Sequence, residues 1–188
     1  TSICREVLSA YPDIKFSVSY TTRPPSPGEI DGKDYFFVSE TDFQRRINEG
    51  EFAEWAENYG YYYGTSKKTM TSFLESGHDL ILDIEPAGAR TLKKSFSFGV
   101  FVFILPPSLD ELKMRLQRRG FEDGEAMQRR LNKALNEVRE VEWYDYVIFN
   151  DSLKEAIEQL KSIYVAEKSR RERLEDKINT FFKPMEVC

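Results

Sequence analysis

Three runs of the chain are predominantly apolar, and they constrain the fold more than any other feature. "DLILDI" spans 79–84, "GVFVFIL" spans 99–105 and "DYVIF" spans 145–149. None alternates polar with apolar residues as a strand with one wet face does. Each therefore reads as a strand of a parallel sheet covered on both faces. Helical segments lie between them. "EPAGARTLKKSF" separates the first two runs. "LDELKMRLQRRG", capped by Ser108, and a long polar helix from Glu125 to Glu142 separate the second from the third. Ser152 opens an amphipathic helix running to about Phe182. Strands alternating with helices make βαβ units, and their crossovers return over the sheet so that helices cover both faces. The fold class is α/β, and 188 residues suffice for one such core with a small appended subdomain.

The first part of the chain departs from that pattern. "TSICREVLSAYP" opens in a helix with Ile3, Val7 and Leu8 on one face. Lys15 to Tyr20 reads as a strand. Thr21 to Lys33 is turn material, with Pro24, Pro25, Pro27 and Gly28, then Asp31-Gly32. "DYFFVS" is a second strand. A helix follows from Ser39, its N-cap, to Gly50, its stop. "EFAEWAEN" and "YYYGTS" form a hairpin about Tyr59-Gly60, and "KKTMTSFLESG" is a helix ending at Gly77. The segment 21–78 is thus a β-rich subdomain inserted into the α/β core. A second, short polar insertion lies between Gly120 and Glu125.

Net charge is −5, so no global basic field draws in nucleic acid, and an anionic ligand has to be met by locally placed arginines. No apolar stretch approaches the length of a membrane span. The two cysteines, Cys4 and Cys188, make no disulfide framework, which suits a reducing cytoplasm.

Four groups of residues carry chemistry. Asp83 ends an apolar strand with Glu85 two residues on, and ligands of parallel sheets gather at that end of the strands. A carboxylate there can hold Mg²⁺ beside a nucleotide's phosphates. Arg115, Arg118, Arg119, Arg129 and Arg130 sit on two helices joined by a short turn. Taken singly, each belongs to a solvated basic face. Together they read as a cap that closes over polyphosphate. Glu54, Tyr63 and Thr65 surround the hairpin. A carboxylate accepts both N1–H and the exocyclic amine of guanine, a pair of donors that adenine lacks on that edge. Finally, Arg23 and Tyr35 flank a stiff, proline-rich spacer and read as an anion clamp.

In order and spacing, "SVSYTTRPPSPGE", "GKDYFFV", "EFAEWAENYGYYYGT", "LILDIE", "RLQRRG", "QRRLNKA" and "YVIFND" resemble guanylate kinase, the family that moves the γ-phosphate of ATP onto GMP. The resemblance covers nearly the whole chain. It implies a P-loop-kinase-like parallel sheet as core (1–20, 79–114 and 143–188), a GMP-binding subdomain at 21–78 and a helical lid at 115–142. It implies that Ser19, Arg23, Tyr35 and Tyr63 hold the GMP phosphate, and that Glu54 and Thr65 read the guanine with help from Glu85. It places Thr1 and Asp83 at the Mg²⁺. Thr1, Ser2, Arg115, Arg119 and Asn150 fall on the ATP side, Asn150 near the adenine, and Arg23, Asp83, Arg119 and Arg130 fall to catalysis. ATP and GMP are the implied substrates, with no nucleic acid or membrane partner, in a monomer or weak homodimer of the cytoplasm.

Two departures stand out. The family usually carries a second arginine three positions after Arg23, where this chain has Ser26. The family also opens with a strand and a glycine-rich phosphate loop, and Thr1-Ser2 falls where that motif ends. Residues carrying the strand, the glycines and a lysine are therefore expected before Thr1. The competing reading is a guanylate-kinase-like module that has lost catalysis and binds a phosphorylated protein. Intact "EFAEWAE", Asp83 and the arginine lid favour the enzyme.

Overall fold

Ile3, Cys4 and Val7 recur at helical spacing and are buried along one face of α1 (Ser2–Ala10), the element that opens the computed structural model. Residues 2–96, 98–118 and 124–183 are described. The chain divides into two compact units, Thr1–Phe101 and Val102–Cys188.

In the first unit, the expected strand 15–20 is two short ones in different sheets. β1 (Ile14–Phe16) and β2 (Tyr20–Thr21) are joined by Ser17, Val18 and Ser19. β3 (Phe36–Phe37) pairs parallel with β2. α2 (Glu40–Asn48) starts where Ser39 Oγ accepts from Asp42 N–H at 3.1 Å. That side chain satisfies one of the helix's unpaired donors. β4 (Phe52–Asn58) and β5 (Tyr61–Ser66) form the expected hairpin. At its tip Tyr59 (φ 51°) and Gly60 (φ 81°) are both left-handed, the backbone that a tight two-residue hairpin turn requires. The second sheet has the order β3-β2-β5-β4, mixed in direction because β2–β3 is parallel.

Ser66 caps α3 (Lys67–Glu75), which leads to β6 (Asp79–Ile81). β6 pairs parallel with β1, from Ile14↔Asp79 to Phe16↔Ile81. The expected strand 79–84 is shortened because its partner leaves: Ser17 N–H still donates to Ile81 O at 3.0 Å, and beyond it the chain crosses to the second sheet. α4 (Pro86–Ser95) follows with Pro86 in its first turn, where a missing N–H does no harm.

The second unit pairs β7 (Val102–Leu105) with β8 (Tyr146–Phe149), also parallel. Between them run α5 (Leu109–Arg118), α6 (Gly124–Arg139) and a 3₁₀ turn, Glu140–Trp143. The helix expected over 125–142 thus tightens in its last turn. α7 (Leu153–Lys168) is capped by Ser152. The single helix expected to Phe182 breaks after it, because Arg170 is extended (φ −60°, ψ 136°) and a 3₁₀ turn, Arg171–Leu174, then leads to α8 (Glu175–Phe182). On β8 Ile148 is fully buried, whereas Val147 and Phe149 on either side of it are exposed, as is Ile104 on β7.

Candidate functional site

The hairpin β4–β5 carries two unlike faces, and one irregularity separates them. Phe52 pairs with Ser66, but Glu54 pairs with Thr65, so Ala53 is an extra residue, a β-bulge. Without it, Glu54 would share a face with Phe52 by the two-residue period of a strand. With it, Phe52 joins Trp55, Tyr62 and Gly64 on the face packed against Phe43 of α2. The ring centroids of Phe43 lie 4.5 Å from Phe52 and 5.5 Å from Tyr62. Glu54 turns to the other face, with Thr65, Tyr63 and Asn58. The sequence pattern gave no sign of this bulge.

Glu54 is only 5% exposed and Thr65 is fully buried. The Thr65 hydroxyl donates to Glu54 Oε1 at 2.5 Å. Burial pushes the Glu54 carboxyl above the usual glutamate range. Its bonds to Thr65 pull the other way, and the charge of Glu85 adds to the rise. Glu85, just before α4, accepts a hydrogen bond from the side-chain amide of Asn58. Asn58 is a site residue that motif reading did not single out. Its place on the Glu54 face follows from strand alternation beyond the bulge.

Arg23 lies at the end of β2 and is engaged at both terminal nitrogens. Nη1 donates to Pro24 O and Ser26 Oγ, each at 2.8 Å. Nη2 donates to both carboxylate oxygens of Glu29, at 2.7 and 2.9 Å. Glu29 also accepts from Ser26 N–H at 2.6 Å. The bond from Arg23 holds the Glu29 carboxyl below the usual range. Glu29 is thus a second residue that motif reading passed over, although "PPSPGE" places it in the spacer. The guanidinium carbon sits 5.4 Å from the centre of the Tyr35 ring and 5.9 Å from that of Phe37. Tyr35 and Tyr63 meet edge to face at 6.0 Å. Burial, then the neighbouring Tyr63 and Asp83, raises the Tyr35 hydroxyl above its ordinary value, so it remains a hydrogen-bond donor at neutral pH. The structure therefore brings together Arg23, Tyr35 and Tyr63, as expected of a clamp. Ser19 contributes its carbonyl to Phe36 N–H at 2.9 Å and so holds the strand that leads to Arg23.

Asp83 is exposed just beyond β6. Its charge is felt by Tyr35 and by the buried Cys4 thiol, which burial first and Asp83 second push upward. In the second unit, Arg115 of α5 donates to Asn150 O at 2.9 Å and to Glu111 Oε1 at 2.7 Å. Ile104, Leu105, Pro106, Leu112 and Leu116 join these two around a cleft of about 140 Å³. Arg130 is half-buried on α6, and Ser2 is exposed at the start of α1. Thr1 and Arg119 lie outside the described residues.

The guanylate kinase family model matches residues 1–167. The guanylate kinase of Syntrophus aciditrophicus (strain SB) is 60% identical over 178 residues, which are 95% of this chain and 86% of that protein. The guanylate kinase of Geobacter sulfurreducens is 50% identical over 182 residues, 97% of this chain and 90% of that protein. Among solved structures, guanylate kinase from Anaplasma phagocytophilum superposes with a TM-score of 0.79 at 32% identity, covering 94% of this chain and 90% of that one.

Proposed function

This chain belongs to the guanylate kinase family, and on that premise we propose how its residues divide the work. The activity is that of a nucleoside monophosphate kinase: the γ-phosphate of ATP passes to GMP, giving ADP and GDP. A phosphate oxygen of GMP attacks the γ-phosphorus, and the bond from that phosphorus to the bridging oxygen of ADP breaks. The protein forms no covalent link in such a step. It positions the two nucleotides and neutralises charge.

The observation that carries the assignment is the buried Glu54–Thr65 pair. A carboxylate this dry, with one oxygen bonded to a hydroxyl, is a strong acceptor for N1–H and the exocyclic amine of guanine. Glu85 supports the same edge. Arg23 meets the GMP phosphate with two donors in one plane, and the hydroxyls of Tyr35, Tyr63 and Ser19 add further donors. Because both terminal nitrogens of Arg23 are engaged by Ser26, Pro24 and Glu29, an incoming phosphate has to share or displace these acceptors. Arg115, Asn150 and Ser2 serve ATP in this reading, with Asn150 at its adenine. Arg119 and Arg130 stabilise charge on the transferring group.

Asp83 fits a magnesium ion: it is an exposed hard oxygen donor just beyond a parallel strand, and Thr1 is assigned to the same ion. Among the described residues no group of three or more His, Cys, Asp or Glu forms a metal cage. Mg²⁺ accords with that, since it is bound through one or two carboxylates and the substrate's own phosphates. When bound, it neutralises charge on the phosphate oxygens. Among the described residues no helix is long and apolar enough to cross a membrane. Separately, the family resemblance leads us to propose a cytoplasmic enzyme that is a monomer or weak homodimer.

The test is ADP release with GMP or AMP as acceptor, for the wild type and Glu54→Gln. GMP-dependent turnover that falls in the variant, with the GMP over AMP preference, supports the assignment. An unchanged preference refutes it.

A further inference from the structure

We infer that Gly88 is a positioning residue for base recognition: having no side chain, it lets the first turn of α4 close against the Glu54 carboxylate and fix its direction. The inference rests on Glu54 being the group that reads guanine.

Gly88 is an unusual place for glycine. Gly28, Gly50, Gly60 and Gly77 have positive φ and open space around them, as turns and helix ends require. Gly88 has neither. It is buried in the first turn of α4, in ordinary helical backbone where alanine is the better helix former. Its backbone gives no reason for glycine, so the reason lies in what it touches. A methyl group built on Gly88 would lie 2.9 Å from Glu54 Cδ and closer still to Oε2. The three heavy atoms nearest that methyl all belong to the Glu54 side chain.

That carboxylate has little room to yield. Oε1 holds the Thr65 hydroxyl, and both residues are buried. Turning the carboxylate away from a new methyl group would break the Thr65 bond. Moving α4 instead would carry Glu85 and its bond to Asn58 away from β4. Either response misaims acceptors that have to meet two donors on one base edge. Gly88 thus acts through Glu54, or through Glu85 where α4 moves, and its removal should be read on the GMP side.

The experiment compares Gly88→Ala, Glu54→Asp, the double variant and Glu54→Gln, by steady-state kinetics with GMP and AMP and by calorimetric titration with GMP. Gly88→Ala should raise both KM and Kd for GMP on the order of 10–100-fold, as a misplaced binding group does. The KM for ATP should stay put, and the preference for GMP over AMP should shrink. Glu54→Asp is one methylene shorter and makes room for the methyl. It should therefore cost much less in the Gly88→Ala background than in the wild type, the non-additivity of two groups in contact. If the two costs simply multiply, or if Gly88→Ala keeps wild-type GMP affinity while Glu54→Gln loses it, the inference is overturned and the reading of Glu54 stands. If Glu54→Gln itself leaves base preference unchanged, that reading falls and takes the inference with it. Should Gly88→Ala fail to fold, the double variant should fold. Failure of both would make Gly88 a packing residue only and overturn the proposal.

Discussion

The proposed base pocket and the proposed phosphate clamp both lie in the first unit, and they are built in opposite ways. The pocket is dry. Glu54 and Thr65 are buried, and the carboxylate is held by one hydroxyl, a bulge and the approach of α4. The clamp is wet at its edge. Arg23 and Glu29 keep 22% and 23% of their side-chain surface, and the arginine is held by a carboxylate, a carbonyl and a hydroxyl from its own loop. Burial makes each polar contact in the pocket expensive to lose, whereas solvent and neighbouring acceptors can compensate for losses at the clamp. The pocket should therefore decide which nucleotide is accepted, and the clamp how tightly any monophosphate is held.

The strongest way to break that division is Glu54→Gln. The variant keeps the shape, removes the charge and replaces one acceptor by a donor. We expect the preference for GMP over AMP, measured as the ratio of kcat/KM values, to fall by about 2–4 kcal/mol. The pH dependence sharpens the same point. The folded-state pKa of Glu54 is raised by burial, so the charge it carries at neutral pH opposes folding of the ligand-free chain. The stability contribution from its protonated form is complete below the unfolded value and is lost as pH rises through the folded one. GMP needs the ionised form, so its KM should rise as pH falls through that same window. Thermal unfolding of the ligand-free protein and GMP titrations across the window should move in opposite directions. Glu54→Gln should lack this component, so the difference between wild type and variant should carry both trends. Parallel trends would place the carboxylate outside the guanine site.

Arg23→Lys tests the clamp. Lysine keeps the charge but not the planar fork, and it cannot serve the same set of acceptors. Losing charge-assisted bonds should raise KM for GMP by about 1.5–3 kcal/mol. AMP should suffer equally, leaving the GMP over AMP ratio where it was. A changed ratio would mean that clamp and pocket are not separable.

The two regions also differed in how far the sequence revealed them. Most clamp residues lie within one short stretch, so turn residues and arginine chemistry made Arg23 and Tyr35 legible, and the hairpin supplied Tyr63. Ser39 as a cap and Tyr59-Gly60 as a turn were legible for the same reason: the residue types satisfy local backbone demands. Glu54 was legible as a candidate, but its surroundings were not. The bulge at Ala53 depends on pairing between strands, and Gly88 matters only because α4 comes back to β4 more than thirty residues later in the chain. The early ends of β1 and β6 depend on the chain changing sheets at Ser17. In each case a tertiary contact overrode a local pattern.

The smallest effect, and the finest test of the clamp, is Ser26→Arg. Ser26 makes three hydrogen bonds: its hydroxyl accepts from Arg23 Nη1 at 2.8 Å, its N–H donates to Glu29 Oε2 at 2.6 Å, and its carbonyl accepts from Glu29 N–H at 3.0 Å. The last two belong to the backbone and survive any side chain. The first is lost in the variant, which frees one Arg23 donor for phosphate and adds a second guanidinium. Both changes favour a dianionic monoester, at a site open enough that water and salt screen much of the gain. The KM for GMP should fall by on the order of 1 kcal/mol at low salt, and less as ionic strength rises. The KM for AMP should fall alongside it, since neither change reaches the base. If KM rises instead, the Ser26 hydroxyl is needed to aim Arg23, and the clamp depends on loop geometry as closely as the pocket depends on Gly88. The contrast between a tolerant clamp and an exacting pocket would then be wrong on the clamp's side.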